Sequence, residues 1–302
     1  MYRPYEQRTV DYQYHNLLKR LHGLLVQKGA QKQSAMDESS VAIYGDIMRF
    51  ELVNGFPAIT ERDLSDKLFT AALGEHMAFL NGARTHAQLS EFGCTWWKPW
   101  VSEAKCKKRG LEAGDLGPGS YGPAWRNFPT SDPFTSPFDQ ISHLIQQIEE
   151  RPELRTHLVV PWIPQYIGRT KDEVQRVVVV PCHGELFVFV DTVTRELTVV
   201  HVQRSADAPV GLVFNLIQYA FFTMALAQVT GYIAKELVYQ LVDVHMYESQ
   251  REAVEELLSR EPRPFPTVTI DRSVSSLFDF RPHHVTLSDY DPHPAMRIPT
   301  PV

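Results

Sequence analysis

An α/β (α+β) fold, with one large mixed sheet flanked by helices, is predicted by three features of the chain. Val177–Val180 is β-branched, Glu185–Asp191 alternates through Phe187 and Phe189, and Glu196–Gln203 alternates through Leu197, Val199 and His201, so three strands follow in succession. Directly after them, Leu212 to Val229 is apolar nearly all round, as a central buried helix would be. The third feature is size: 302 residues at 43% hydrophobic composition can bury a sizeable core, as one large domain or two ordinary ones.

The elements can be justified in order. Residues 1–10 are polar and read as an arm, leaving 11–302 as the folded domain. From Tyr12 to Gln27, Leu17, Leu18, Leu21, Leu24 and Leu25 fall at helical spacing, with Gly29 as a C-cap. Residues 30–40 form a polar loop. Val41 to Val53 reads as a strand pair closed by the turn dipeptide Asn54-Gly55. Leu68, Ala71, Ala72, His76, Phe79 and Leu80 mark a helix that carries Glu75 on an otherwise apolar face. Such a carboxylate is costly to bury unless it has a task or a partner.

Trp96, Trp97 and Trp100 cluster ahead of a charged loop at 101–113, and Gly114 to Arg126 is glycine-rich without a nucleotide-loop spacing. Asp139 to Glu150 reads as a helix with Ile141, Leu144, Ile145 and Ile148 inward. Leu237 to Asp243 alternates as a strand that delivers His245 and Tyr247. Arg251 to Arg260 is an amphipathic helix, and Thr267 to Ile270 a further strand.

Bulk charge excludes some functions. A formal net charge of -6 leaves no footprint for nucleic acid, so an anionic ligand needs a local group of arginines. Cys94, Cys106 and Cys182 are too few and too scattered for a disulfide framework or a zinc site, which points to a reducing cytoplasm. The start, MYRPYEQRTV, has no apolar leader, and the uncharged run Ala208 to Ala234 carries Asn215, Gln218 and Gln228. It reads as a core helix rather than a membrane span.

The chemistry centres on Pro181-Cys182-His183 and Gln203-Arg204-Ser205-Ala206-Asp207, each at the end of an apolar run, with Gly211 and Phe214-Asn215 opening the long helix. A thiol is a nucleophile only as thiolate, and a neighbouring guanidinium such as that of Arg204 lowers its pKa. On periodicity alone, a buried structural thiol and a surface arginine fit as well.

PCH (181–183), QRSAD (203–207) and FN with QYA (214–220) resemble the thymidylate synthase family. So do GDIMRFELVNGFPAIT (45–60), EHMAFLNG (75–82), WWKPW (96–100), GDLGPGSYGPAWR (114–126), DVHMY (243–247), LSREPRPFP (258–266) and DYDPHP (289–294), in the family's order. The resemblance runs from about Gly45 to the C-terminus. It implies a single thymidylate-synthase-like domain whose sheet packs on its copy in a homodimer.

It also implies roles. Cys182 adds to C6 of a pyrimidine nucleotide, with Glu75, Tyr121, Arg204 and Asn215 as the other catalytic groups. Arg204, Ser205, Asn215, His245, Tyr247, His183, Gln203 and, from the neighbouring subunit, Arg155 bind the nucleotide. Asp207, Trp97, Val210, Gly211, Phe214 and the terminal Val302 contact 5,10-methylenetetrahydrofolate. Two phosphate arginines of the family are missing, with Ala35 and Thr156 in their places. An amide at Asn215 matches uracil, whereas cytosine-acting members carry an aspartate there. The expected reaction converts dUMP to dTMP. Hydroxymethylation of dUMP, a cytosine-nucleotide hydroxymethylase, and a nucleotide- or RNA-binding relative without turnover remain as alternatives.

Overall fold

The computed structural model describes residues 2–29, 32–33, 38–132, 135–171 and 173–301. Its helices are α1 (Gln13–Lys28), α2 (Lys67–Leu80), α3 (His86–Glu91), α4 (Glu103–Lys107), α5 (Tyr121–Arg126), α6 (Gln140–Glu150), α7 (Pro164–Ile167), α8 (Gly211–Val229) and α9 (Arg251–Leu258). Its strands are β1 (Lys32–Gln33), β2 (Ser39–Glu51), β3 (Leu158–Val159), β4 (Glu185–Asp191), β5 (Glu196–Asp207), β6 (Ile233–Tyr247), β7 (Thr267–Ile270) and β8 (Val285–Ser288).

Six strands form one mixed sheet in the order β1-β2-β6-β5-β4-β3, and β7 and β8 pair separately. Every neighbour pair of the large sheet is antiparallel except β5 and β6, which run parallel because α8 carries the chain back between them. Their register sets Ser205 beside Asp243 and Asp207 beside His245. One end of the parallel pair therefore collects both polar runs. Ligands bind at the carboxyl ends of strands where a sheet of this kind opens.

One face of the sheet is the core. Leu186, His201, Tyr239 and Met48 line up across β4, β5, β6 and β2, all buried. α8 covers that face and is itself covered by α2. α8 is long and apolar enough to cross a membrane, yet 78% of its apolar window is buried within the fold, as befits a core helix. The opposite face runs Leu158, Phe187, Val200, Val238 across β3, β4, β5 and β6. Leu158, Phe189, Ile47 and Val242 remain 43–49% exposed.

Several boundaries differ from the expectation. The run 41–53 is one strand, not a pair: β2 pairs with β6 from Ser40 to Glu51, and Leu52–Asn54 turn as a short helix. Val177–Val180 is no strand. Val178 donates a backbone bond to Leu116, the segment bends, and Val177 and Val178 are buried, so its β-branched character reflects packing rather than a ladder. β6 continues past Asp243, so His245 and Tyr247 lie within the strand. The charged loop at 101–113 holds α4, whose Cys106 is buried. The 1–10 arm is docked: Arg8 is buried and donates to the Phe265 carbonyl at 2.8 Å. Ala35 and Val302 lie outside the described residues.

Candidate active site

Cys182 sits in the tight passage from the bent segment 176–180, which buries Val177 and Val178, into β4. The passage is fixed from four sides. The Cys182 N–H donates to the Tyr121 hydroxyl at 2.8 Å, and the Cys182 carbonyl accepts from the Ser205 N–H at 3.2 Å. Gly184 donates to His201 Nε2 at 2.9 Å, and Arg204 Nε donates to the Pro181 carbonyl at 3.1 Å. Gly184 has φ +97, and a Cβ there would stand 2.7 Å from the Trp125 ring. Only glycine fits directly after Cys182-His183.

The second guanidinium nitrogen of Arg204 lies 3.4 Å from Cys182 Sγ. The hypothesis of a cation beside the thiol thus has its geometry. The expected net effect on acidity does not follow in the free protein. Burial pushes the Cys182 thiol above its ordinary value, and Arg204 is the largest of the opposing influences rather than the winner.

Glu75 is buried in α2. Trp96 Nε1 donates to its Oε1 at 2.6 Å, Trp97 Nε1 donates to the same oxygen, and Gln218 Nε2 donates to Oε2 at 2.5 Å. Burial raises the Glu75 pKa, while the three N–H donors hold it down. α2 reaches this position because Gly74 lets the Phe92 carbonyl approach to 2.0 Å from where a Cβ would stand. Asn215, on the first turns of α8, accepts from Gln203 at 3.0 Å and donates to Gln218 at 2.8 Å.

A second cluster forms at the ends of β5 and β6. Asp207 accepts from Gln250 Nε2 at 3.0 Å and from the Val210 N–H at 3.3 Å. Burial lifts its carboxyl to about 6, against the pull of His245 first and then of these donors. The same Gln250 nitrogen donates to the Pro299 carbonyl at 3.1 Å, which ties the C-terminal tail to the cluster. His245 Nδ1 is held by Asp243 at 2.8 Å. Gly211 has no heavy atom within 4 Å of a built Cβ, and Phe214 packs on Trp96 with ring centroids 5.2 Å apart. An open glycine, two aromatic faces and a buried carboxyl suit a flat aromatic ligand.

Not every expected residue joins these clusters. His183 points inward: it stacks on Tyr121 at 4.3 Å, its Nδ1 pairs with the Tyr219 hydroxyl at 2.5 Å, and burial lowers its pKa to about 3. In the free chain it supports Tyr121 from behind. Arg155 is exposed on the segment before β3, and the Thr156 hydroxyl accepts from Gln147 at 3.2 Å. Residues given no site role from sequence are Trp96, Gln218, Gln250 and Asp243. WWKPW, QYA and DVHMY contained three of them, but no spacing rule gave any of them a partner. A cavity of about 500 Å³ between Arg84, Arg126 and Tyr166 contains none of the site residues, and its arginines are paired with Asp115 and Asp139.

A thiol beside a guanidinium, backed by a buried carboxylate and carboxamide at the open end of a mixed sheet, defines an enzyme of nucleophilic group transfer. The thymidylate synthase family model matches residues 12–302, essentially the whole chain. The protein belongs to the thymidylate synthase family, and its class of reaction is folate-dependent one-carbon transfer to a uracil nucleotide.

Proposed function

We propose that this enzyme methylates dUMP at C5, giving dTMP and dihydrofolate. The observations that carry the reading are the contact of Arg204 with Cys182 Sγ at 3.4 Å and the hydrogen-bonded line from Asn215 through Gln218 to the buried Glu75. Cys182, as thiolate, adds to C6, and the electron pair moves through C5 towards O4. Asn215 holds the O4–N3 edge, Glu75 relays protons there through water, and Arg204 with Ser205 holds the phosphate. Asp243 orients His245 through Nδ1, leaving Nε2 for the sugar hydroxyl beside Tyr247.

The bound 5,10-methylenetetrahydrofolate supplies a one-carbon unit at the methylene level, to which C5 bonds. Asp207, Val210, Gly211, Phe214 and Trp97 line its place. Tyr121, through water, assists loss of the C5 proton. As the C5 proton leaves, the bond between the one-carbon unit and the folate nitrogen breaks and an exocyclic methylene remains. Hydride from the departing tetrahydrofolate, which is thereby oxidised to dihydrofolate, adds to that carbon while the electron pair shifts to restore the C5–C6 double bond and expel Cys182. Water at that carbon would instead give 5-hydroxymethyl-dUMP. Trp96 and Trp97, both committed to Glu75, wall the site against water and favour the methyl product. Thr156, tied to Gln147, favours the second reading, a specialised hydroxymethylase with a reduced phosphate site.

A homodimer fits the uncovered apolar face of the sheet, with Arg155 entering the neighbour's phosphate site. Three unpaired cysteines fit a reducing compartment, the cytoplasm. Product mass with dUMP and methylenetetrahydrofolate, together with dihydrofolate absorbance, tests the reading. A methyl gain with dihydrofolate is expected. A hydroxymethyl gain without dihydrofolate, or turnover only with dCMP, would sink it.

A further inference from the structure

We propose that Gln218 locks the Asn215 carboxamide in one orientation and thereby sets which pyrimidine edge the site accepts. The inference deepens the uracil reading above and rests on it for the identity of the base. Amide orientation is ordinarily ambiguous, because oxygen and nitrogen differ little in shape, and it is fixed only by unambiguous neighbours. Here such neighbours stand at both ends of a continuous chain. Gln203 Nε2 donates to the Ser205 carbonyl at 3.1 Å, a group that can only accept, and also to Asn215 Oδ1 at 3.0 Å. Tyr239 donates to Gln203 Oε1.

At the other end, Gln218 Nε2 donates to the Ala72 carbonyl at 3.1 Å and to Glu75 Oε2 at 2.5 Å. Both are acceptors. Gln218 Oε1 therefore faces Asn215 and takes its Nδ2 hydrogen at 2.8 Å. Turning Asn215 over would set oxygen against oxygen at Gln218 and nitrogen against nitrogen at Gln203. Gln203 is 2% exposed, Asn215 7% and Gln218 0%, so water cannot repair either clash.

Asn215 keeps one Nδ2 hydrogen and one Oδ1 lone pair for a ligand. Uracil offers an acceptor at O4 and a donor at N3, whereas cytosine offers a donor at N4 and an acceptor at N3. A freely turning amide serves both edges, and a locked one serves only one. The lock also ends on Glu75, so the group that reads the base and the group that relays protons share one hydrogen-bonded line. Gln218 acts through Asn215 and is a positioning residue.

The test is equilibrium binding of dUMP and dCMP to the full-length protein and to three variants, each checked by thermal melting. Gln218→Met removes the acceptor for Asn215 and is expected to narrow the ratio of the two affinities by roughly tenfold. Gln218→Glu keeps that acceptor and is expected to preserve the ratio while turnover falls. Gln203→Met frees the amide from the opposite end and narrows the ratio too, which keeps the test alive if Gln218→Met does not fold. Loss of both affinities in equal proportion, with the ratio unchanged, would overturn the lock. So would a Gln218→Glu variant as permissive as Gln218→Met. A wild-type preference for dCMP would refute the uracil reading alone, since the lock still requires that preference to narrow.

Discussion

Arg204 grips the nucleophile passage twice: Nε donates to the Pro181 carbonyl at 3.1 Å and Nη2 reaches Cys182 Sγ at 3.4 Å. One side chain thus fixes the backbone before the thiol and supplies the charge beside it. Burial nevertheless holds the thiol above its ordinary value.

The pH dependence of that thiol is a first prediction. A raised pKa means less thiolate at neutral pH, so alkylation of Cys182 by iodoacetamide rises with pH to a midpoint above the ordinary free-thiol value of about 8.5. Arg204→Met removes the largest opposing influence and moves the midpoint higher still. Peptide mass mapping separates Cys182 from the buried Cys94 and Cys106. A midpoint below that of a free thiol contradicts the burial argument.

Glu75→Gln keeps the shape, and its one oxygen can still accept from the two tryptophans, but its NH2 then meets the Gln218 donor and it cannot relay protons. Turnover is expected to fall by about 10²- to 10⁴-fold, with nucleotide affinity changed far less. Single-turnover kinetics beside equilibrium binding check this. An equal loss in both would make Glu75 a structural group.

Asp207 links function to stability. Its folded pKa of about 6 exceeds the ordinary 3.8, so the fold prefers the protonated carboxyl. The resulting penalty is absent below pH 3.8, grows as pH rises through about 6, and is complete above that. Asp207→Asn removes it, stabilising the protein at pH 7 by at most about 3 kcal/mol and scarcely at pH 4, while weakening folate binding. Urea melts at both pH values measure the difference. A variant less stable at pH 7 than the parent contradicts the sign.

The sheet face and the phosphate site are coupled through the proposed dimer. Phe187→Asp places a charge in the Leu158–Phe187–Val200 row and is expected to give monomers with little activity, read by sedimentation and turnover together. Thr156→Arg restores a guanidinium next to Arg155 and should lower the KM for dUMP on the order of tenfold. An active Phe187→Asp monomer would remove Arg155 from the mechanism.

Much of this arrangement is written locally. β4 begins and ends at Glu185 and Asp191, as alternation predicts, because one of its faces is buried and the other is not. α1, α6 and α8 follow their apolar spacing to within a residue or two. Val177–Val180 shows the limit: a β-branched run records burial, and only a neighbouring strand makes it a ladder. Long-range partners were equally illegible. Gln218 reads in sequence as a polar interruption of an apolar helix, and its meaning comes from Glu75, 143 positions away. Gln250 binds both Asp207 and the tail for the same kind of reason. The role proposed for Arg155 depends on a second chain, which one sequence does not display.

The most direct test uses 5-fluoro-dUMP with methylenetetrahydrofolate, followed by intact-protein mass spectrometry. Fluorine replaces the proton that leaves C5, so the reaction should halt after both bonds have formed. The chain is expected to gain the combined mass of nucleotide and folate, mapped by peptide to Cys182. Absence of a covalent adduct, or its location on Cys94 or Cys106, would contradict thiolate addition by Cys182.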